Sequence, residues 1–462
     1  FYIESKKKEF VVNLGTKIQA HDRISTIIKY HDSFFVGLMI DGVLTLDKQK
    51  GSDEYQIQPL PLNSGVFSLV KDRFQDFIWI ATDGQGVYLY SNPLYSIKSV
   101  VLNNYTDKIE RPVRALLLDK ERTFWIGTKG NGILKIYDYE VDKNISDCRS
   151  EVLTISNSGL GSNAVYCIGK SNRNLLWIGD EEGLNFYSYR DRCIKKLPLW
   201  IDNEEIKYIH DIYETEDSEL WLASVGMGVI RAHIGGTQDH PVLENMQRYV
   251  ANAGEFGSNC FFTICKGDSL GMLFGNMGHG VFRFNEISNG LEPLTTHKYE
   301  NMNLNKVVPI ARDEADNYLI GTTYGLIKYT SENSYQLFNA KDGFLNSTIH
   351  AILKHSSDNF WLSTNQGLIN FDTKRNVFRS YGFSDGLKVV EFSDGASYRD
   401  PQTGTLFFGG INGFVAIQAD GRPERLYMPP IYFDKLFIFG EQTTASVSMT
   451  GSSLPVKRRT RY

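Results

Sequence analysis

The side chains that most often carry out catalysis are spread through this chain without the spacing that catalysis needs. Nine histidines occur, but none belongs to a His-Glu-x-x-His motif, and His350 and His355 would lie across a strand and its turn rather than on one helix face. The run 275–280 resembles a phosphate-binding loop, yet no Gly-Lys-Ser/Thr follows it. Acid pairs such as Glu181 and Glu182 are adjacent, whereas acid–base chemistry on a sugar needs carboxylates that face each other from separate elements. The sequence therefore predicts no catalytic residue, no metal ligand and no cofactor.

A second set of side chains is better suited to binding. Aromatic rings stack on the C–H face of a sugar, and amide, imidazole and guanidinium groups pair with its hydroxyl, carboxylate or sulfate groups. Of the six tryptophans, Trp200 alone lies outside the repeated motif described below; it is a candidate stacking platform, with capping of the core as the alternative. The candidate ligand-binding residues are Trp200, Arg111, Arg114, Tyr208, His210, His279, Tyr324 and Asn365, with Gln366 and Asn412 beside them. The alternative for each of these residues is that it contacts no ligand and is an ordinary solvated loop residue.

A repeat that returns along almost the whole chain must position these residues. Its nine copies begin at Phe35, Trp79, Trp125, Trp177, Trp221, Leu273, Leu319, Trp361 and Phe407, 42 to 52 residues apart. Two positions later the residue is always small, which predicts that another segment packs too closely for a larger side chain. A glycine follows six or seven positions after the start of each copy, which predicts the positive φ of a tight hairpin turn.

Alternating apolar and polar runs flank the copies, as in 113–117 before one motif and 367–371 after another. Period-two alternation interrupted by turn residues predicts four antiparallel strands per copy. Repeated four-stranded units of about 45 residues are typical of the blades of a β-propeller. The predicted fold is all-β, a complete seven-bladed propeller preceded by the last blades of another.

The loops before each first strand and after each second strand would then gather around a central channel, and the candidate binding residues belong to these loops.

The motif also resembles a known family. The segments Trp79–Thr82, Trp125–Thr128, Trp177–Asp180 and Trp361–Thr364 are similar to the two-component regulator propeller repeat. The resemblance covers roughly residues 10 to 440 and rests on nine spaced copies. It implies the periplasmic sensor of a hybrid two-component system of the Bacteroides type. In that family, two seven-bladed propellers precede a tyrosine-rich immunoglobulin-like domain, a membrane helix and a histidine kinase.

The resemblance implies a function as well. This fragment would be a non-catalytic sensor domain that binds a glycan-derived oligosaccharide, works as a homodimer, and relays the signal to control transcription of polysaccharide-utilisation genes. It would contact no nucleic acid and would reach the membrane only through a missing downstream helix. Two alternatives stay open. One is a propeller polysaccharide lyase or glycosidase, for which Arg114, Tyr208 and His210 would have to converge, and the other is a protein-interaction scaffold.

The copies predict three domains: 1–92 as the last blades of a truncated first propeller, 93–425 as a seven-bladed propeller, and 426–462 as an incomplete immunoglobulin-like domain. Pro93 marks the first break, and 431–439 reads as one strand after the last blade. An alternative division makes the first seven copies one ring. Residues 1–12 resemble the last two strands of a blade, so we expect a fragment that begins within a blade, and the lack of a signal peptide then carries no weight.

Composition sets the remaining limits. The net charge of −5 gives no reason to expect nucleic acid. The five cysteines are scattered, odd in number and without a Cys-x-x-Cys pair, which argues against a disulfide framework or a zinc site. No apolar run approaches the roughly 20 residues of a spanning helix.

Overall fold

The computed structural model describes residues 2–5, 8–11, 21–48, 55–60, 62, 64–72, 77–91, 95–106, 109–251, 259–294, 306–330, 334–344, 346–385, 387–419, 436–438 and 441–443. The chain divides into two compact units, one formed by Phe1–Leu94 with Gly421–Tyr462 and the other by Tyr95–Asp420. The copies at Phe35 and Trp79 belong to the first unit, and the seven copies from Trp125 to Phe407 belong to the second.

The first unit begins with antiparallel sheets of two, four and three strands. These strands are β1 (Tyr2–Ser5) and β2 (Lys8–Val11), then β3 (Ile24–Tyr30), β4 (Ser33–Leu38), β5 (Gly42–Lys48) and β6 (Tyr55–Pro59), then β7 (Val66–Lys71), β8 (Phe77–Thr82) and β9 (Val87–Ser91). The four-stranded and three-stranded sheets pack on each other through an apolar core that includes Phe35, Val66 and Ile80.

The second unit contains seven four-stranded antiparallel sheets among its described residues. Its strands are β10 (Tyr95–Val101), β11 (Val113–Leu118), β12 (Phe124–Thr128), β13 (Ile133–Ile136), β14 (Ser150–Leu153), β15 (Val165–Lys170), β16 (Leu175–Asp180), β17 (Gly183–Ser188), β18 (Cys193–Leu197), β19 (Trp200–Ile201), β20 (Glu204–Glu205), β21 (Ile209–Glu214), β22 (Glu219–Ser224), β23 (Gly228–Gly236), β24 (Pro241–Tyr249), β25 (Phe261–Lys266), β26 (Met272–Asn276), β27 (Gly280–Asn285), β28 (Gly290–Pro293), β29 (Val307–Arg312), β30 (Tyr318–Thr322), β31 (Leu326–Tyr329), β32 (Tyr335–Phe338), β33 (Ile349–Lys354), β34 (Asn359–Thr364), β35 (Gly367–Asp372), β36 (Val377–Tyr381), β37 (Phe392–Arg399), β38 (Leu406–Gly410) and β39 (Gly413–Ala419). Short 3₁₀ helices occupy Leu102–Asn104, Ile145–Asp147, Ala340–Asp342 and Phe383–Asp385.

Six of these sheets consist of consecutive strands, and the seventh joins the two ends of the unit. Strand β10 pairs with β39, from Tyr95 opposite Ala419 to Val101 opposite Gly413, and so completes the sheet of β37, β38 and β39. The first strands of the sheets, here called the inner strands, contact one another in the order β11, β15, β21, β25, β29, β33, β37 and back to β11. The predicted all-β propeller fold class is confirmed.

The predicted domain limits stay predictions. Residues 92–94 and 420–435 lie outside the described residues. Of the predicted third domain, the structure describes the short hairpin of β40 (Leu436–Ile438) and β41 (Glu441–Thr443), and most of the predicted strand 431–439 lies outside the described residues.

The repeated small residue is enclosed by two inner strands. A methyl group built on Gly127 of β12 would lie 2.9 Å from Cβ of Ala115 in its own sheet and 2.8 Å from Cγ1 of Val165 in the next sheet. Both distances are too short for carbon atoms, so any side chain here would push the two sheets apart. The prediction that something packs closely at this position is confirmed, and that segment is the inner strand of the following sheet.

The repeated glycine after the motif is equally constrained. Gly132 has φ of +77°, which favours glycine. A methyl group there would lie 2.0 Å from the carbonyl oxygen of Leu153. The predicted positive φ is confirmed.

The motif tryptophan and the residue after it face opposite neighbours, as predicted. Trp125 packs in the core between its own sheet and the sheet of β15–β18, whereas Ile126 packs in the core shared with β38 and β39. The indole Nε1 of Trp125 donates to Oδ2 of Asp119 at 2.8 Å. The tryptophan therefore fills an interface between sheets and has its polar atom satisfied.

The burial of Trp125 predicts a stability difference. Trp125 is 1% exposed and Trp200 is 56% exposed, and both lie in the second unit. We expect Trp125→Ala to lower the free energy of unfolding by about 3–5 kcal/mol, because it opens a cavity between two sheets. Trp200→Ala, the matched control, should cost less than about 1 kcal/mol. Urea denaturation followed by circular dichroism measures both values, and equal losses would contradict the packing described here.

Candidate functional site

The strand pairing is irregular near the start of each inner strand, and on five of the seven strands the irregularity is a β-bulge of one residue. On β11, Val113 pairs with Thr128 and Ala115 pairs with Gly127, so Arg114 is an extra residue without a partner. The shift puts Val113 in the core toward one neighbouring sheet and Ala115 in the core toward the other. Arg114 is left at the edge of the sheet, which faces the centre of the ring of inner strands.

The same irregularity recurs around the ring. The extra residue is Tyr166 on β15, His210 on β21, Phe262 on β25 and His350 on β33, and Asp394 lies within a longer irregularity on β37. On β29 the irregularity spans Val308 and Pro309, and Lys306 just before that strand takes the corresponding place. We call the following seven residues the channel ring: Arg114, Tyr166, His210, Phe262, Lys306, His350 and Asp394.

One half of the channel ring is a tightly paired cluster around a carboxylate. Asp394 Oδ2 lies 2.5 Å from Lys306 Nζ, and Asp394 Oδ1 lies 2.6 Å from His350 Nδ1. His350 Nε2 lies 2.6 Å from Oδ1 of Asn365. Burial alone would raise the pKa of Asp394, but the hydrogen bond with His350 and the charges of Lys306 and Arg114 outweigh it and hold this pKa well below its usual range.

The other half of the channel ring is held by ring contacts. The guanidinium of Arg114 lies over the Tyr166 ring at 5.8 Å, Tyr166 stacks on His210 with centroids 4.2 Å apart, and His210 meets the edge of Phe262 at 5.1 Å. Lys306 Nζ then lies 4.8 Å from the Phe262 centroid. Arg114 Nη1 is 3.7 Å from Asp394 Oδ2, so the circuit is closed.

Burial shifts the pKa values in this half. Desolvation lowers the pKa of Arg114, and Asp394 opposes the shift. Desolvation, reinforced by the charge of Arg114, lowers the pKa of His210 to about 3, so the imidazole is neutral at physiological pH. Desolvation also raises the pKa of Tyr166. The ring therefore presents a cationic guanidinium, a neutral imidazole and a neutral phenol side by side.

A cavity of about 230 Å³ adjoins the channel ring. All seven inner strands contribute to its lining, which includes Arg114, Tyr166, His210 and Phe262. Asp211 also borders it, but its carboxylate accepts hydrogen bonds from the backbone N–H groups of Ile212 and Ile264 at 2.8 and 2.7 Å. Burial raises the pKa of Asp211 to about 6, and these hydrogen bonds oppose the shift.

The structure brings three of the predicted ligand-binding residues to this region. Arg114 and His210 line the cavity, and Asn365, in the turn between β34 and β35, joins through His350. Tyr208 is exposed immediately before β21. Arg111 is exposed before β11, where its backbone N–H donates to Asn131 Oδ1 at 2.8 Å.

The other predicted residues do not belong to the described lining of the cavity. His279 and Tyr324 lie in the turns that follow β26 and β30, and Gln366 and Asn412 lie in the equivalent turns after β34 and β38. Trp200 pairs with Glu205 in the hairpin of β19 and β20, beside the outer strand β24. Because it is more than half exposed, Trp200 does not cap the core.

Sequence reasoning missed most of the channel ring. Tyr166, Phe262, Lys306 and Asp394 are not among the predicted candidates, and His350 is mentioned above only because its spacing from His355 does not suit a metal-binding pair. A positional signal was available, because Arg114, Tyr166, His210, Phe262 and His350 each stand eleven residues before the motif residue of their own copy. Lys306 and Asp394 lie off this spacing, so only the folded ring identifies them.

Two further searches concern the described residues alone. No group of three or more His, Cys, Asp or Glu side chains there is arranged to hold a metal ion. Among the same residues there is no helix whose length and apolar character would let it cross a membrane.

Comparison with known proteins finds the same fold in solved structures. No protein-family model matches the chain. The extracellular domain of a hybrid two-component system from B. thetaiotaomicron superposes with a TM-score of 0.60 at 23% identity, over 86% of this chain and 51% of that one. A second such domain from the same organism gives a TM-score of 0.58 at 17% identity, over 92% and 56%. The resemblance predicted from the repeats is confirmed at the level of the fold.

Other relatives extend this picture. Histidine kinase P4 from Formosa agariphila is 23% identical over 326 residues, which cover 69% of this chain and 23% of the kinase. Virginiamycin B lyase from Staphylococcus aureus superposes with a TM-score of 0.52 at 16% identity, over 70% of this chain and 99% of the lyase. The chain thus spans little more than half of the sensor domains and less than a quarter of the kinase.

The Asp394 cluster predicts a second stability effect. We expect Asp394→Asn to lower the free energy of unfolding by about 2–3 kcal/mol, because it leaves the partly buried charges of Lys306 and Arg114 without a counter-ion. The control is Glu314→Gln, which removes an exposed ion pair with Lys354 and should cost less than about 1 kcal/mol. Thermal and urea unfolding test this, and a cost equal to that of the control would contradict the role of Asp394.

The low pKa of His210 predicts a pH dependence. The unfolded chain takes up this proton near pH 6.5, whereas the folded protein takes it up only near pH 3. Lowering the pH through this window therefore favours the unfolded state, and the contribution of neutral His210 to stability is present at pH 7 and lost on acidification. We expect the wild type to lose stability more steeply than His210→Gln between pH 7 and pH 4. Parallel stability curves for the two proteins would contradict the burial of His210.

Proposed function

We propose that this chain is part of the extracytoplasmic, non-catalytic sensor portion of a two-component signalling protein, and that its second unit binds an oligosaccharide at the channel ring. The observation that carries the proposal is the cavity bordered by Arg114, Tyr166, His210 and Phe262. It combines aromatic faces with polar groups that fix orientation, which is the composition of a binding pocket. The similarity to extracellular domains of hybrid two-component systems supports the sensor role.

The chemistry of the ring suits a sugar. Tyr166 and Phe262 offer aromatic surface for the C–H face of a pyranose, while the imidazole of His210 offers one donor and one acceptor for hydroxyl groups. The exposed aromatic residues Tyr208 and Tyr324 lie at the same ends of their strands as the channel ring. They are available for the part of an oligosaccharide that remains outside the cavity.

The wider function follows from the proposed sensor role. The full ectodomain would lie in the periplasm as a homodimer, and ligand binding would change the relative placement of the two copies. A downstream membrane helix would relay this change to a histidine kinase that controls transcription of polysaccharide-utilisation genes. The ligand can drive this change only through different affinities for the two arrangements.

A second candidate function, a propeller lyase or glycosidase, rests on the pairing of His350 with Asp394. A histidine held by a carboxylate is an arrangement used by general bases. However, Nε2 of His350 faces Asn365 at 2.6 Å, and neither His350 nor Asp394 belongs to the described cavity lining. The similarity to virginiamycin B lyase concerns the fold alone.

Calorimetry with a panel of neutral and acidic oligosaccharides tests the proposal, with the same samples incubated for hours and analysed for products. We expect saturable binding of intact sugar and about tenfold weaker binding by Tyr166→Ala, equal to about 1.4 kcal/mol. The control is Ile287→Ala, because Ile287 is 98% exposed in the turn between β27 and β28, at the opposite ends of the strands. Cleaved or unsaturated products would favour the enzyme instead, and the absence of binding across the panel would reject the sensor proposal.

A further inference from the structure

Hydrogen bonding divides the channel ring into a satisfied half and an unsatisfied half. In the satisfied half, Lys306 and His350 both contact Asp394 within 2.6 Å. In the other half, the Arg114 guanidinium, the Tyr166 hydroxyl and the His210 ring nitrogens form no hydrogen bond with any residue that the structure describes. Three consecutive inner strands thus place unpaired polar groups along one side of the cavity.

Among these groups, the guanidinium of Arg114 is the one with a fully buried donor that lacks a hydrogen-bond partner among the described residues. Its side chain is 13% exposed, and its Nε–H is buried without a partner among the described residues. Its one ion pair there, with Asp394, is long at 3.7 Å and involves Nη1, so neither Nη group forms a hydrogen bond with a described residue. Because Nε is enclosed by the protein, a ligand can reach this guanidinium only through its two Nη groups.

The end of the Arg114 guanidinium, formed by the two Nη groups, selects a shape as well as a charge. Two parallel N–H groups on a guanidinium edge match the two oxygens of a planar carboxylate. Asp211, the acid that borders the cavity, already accepts two backbone hydrogen bonds, one from its own strand β21 and one from the neighbouring strand β25. It therefore does not serve as the partner of Arg114.

The size of the cavity limits what can enter. A cavity of about 150 Å³ holds a benzene molecule, so about 230 Å³ is enough for one six-membered sugar ring but not for a chain of sugars. An oligosaccharide could place only its terminal residue there, with the remainder outside.

We propose that the cavity binds the terminal residue of an acidic oligosaccharide, a hexuronic acid whose carboxylate pairs with the two Nη groups of Arg114. The Tyr166 hydroxyl and the His210 imidazole then pair with hydroxyl groups of the same sugar. This proposal rests on the proposed function and adds the chemical class and orientation of the ligand. A neutral sugar would leave the long ion pair with Asp394 as the one ion pair of Arg114 among the described residues.

Calorimetric titration of the whole chain with five probes tests the proposal: D-glucuronate, D-galacturonate, their neutral parents D-glucose and D-galactose, and glucose 6-sulfate as a non-planar anion. We expect a uronate to bind at least tenfold more tightly than its neutral parent and than the sulfate. Arg114→Gln should weaken uronate binding by about 10- to 100-fold, the range of a hydrogen bond to a charged group. Arg114→Lys keeps the charge but loses the planar pair of N–H groups. Its affinity for the uronate should lie between those of the wild type and Arg114→Gln.

Arg192→Gln is the matched control, because Arg192 is exposed in the turn between β17 and β18 and should leave uronate binding unchanged. Circular dichroism melts of each variant establish that it is folded. Equal binding of uronates and neutral sugars, tighter binding of the sulfate, or full binding by folded Arg114→Gln would each overturn the proposal. Neutral oligosaccharides that bind independently of Arg114 would overturn it while leaving the sensor function intact, whereas no binding by any sugar would reject both.

Discussion

The close approach of neighbouring sheets at the small residue of each motif is the constraint on which the second unit depends. Gly127 is enclosed between Ala115 and Val165, and Gly409 is enclosed in the same way between Ala396 and Val113 of the first sheet. The contact with Val113 joins the sheet of β37–β39, which β10 completes by pairing with β39, to the sheet of β11–β14. A residue larger than glycine at either position would separate two inner strands, and in a closed ring that displacement could not be confined to one sheet.

This packing also explains why the channel ring exists. Each inner strand must give one side chain to the sheet before it and one to the sheet after it within a very short length. The bulge solves this problem, because it places Val113 and Ala115 on opposite faces and leaves Arg114 between them. The flanking residues are fixed by packing, whereas the extra residue is free to vary in chemistry. The scaffold therefore dictates where these functional side chains stand but not which residues they are.

The sequence was sufficient for the fold and insufficient for much of the site. Trp125, Gly127 and Gly132 act within one motif, and their roles follow from local spacing, which is why the repeated sheets and turns were predicted correctly. The pairing of β10 with β39 joins the two ends of the second unit, and no local pattern specifies it.

Most of the channel ring could not be predicted, for a related physical reason. The predicted binding residues are those in the loops around the channel, and they include Arg114 and His210 of the ring but also Trp200, which lies beside an outer strand. The ring residues Tyr166 and Phe262 were overlooked because an alternating strand pattern assigns every residue to one of two faces. A bulged residue instead faces a third direction, toward the channel. These residues can be recognised in the sequence only by comparing the copies at a fixed distance from the motif.

The division of the channel ring into paired and unpaired halves has a consequence for binding. A ligand that used Lys306 or His350 would have to break contacts of 2.6 Å or less with Asp394, so much of its interaction energy would be lost in replacing them. A ligand that uses Arg114 breaks no hydrogen bond with a described residue and competes only with an ion pair of 3.7 Å. The contact between Asp394 and His350 meanwhile links β37 and β33, the two inner strands that come before β11 in the ring. In the proposed site, the paired half of the ring thus keeps Arg114 in position, and the free-energy cost of organising that site is met when the chain folds rather than when the proposed ligand binds.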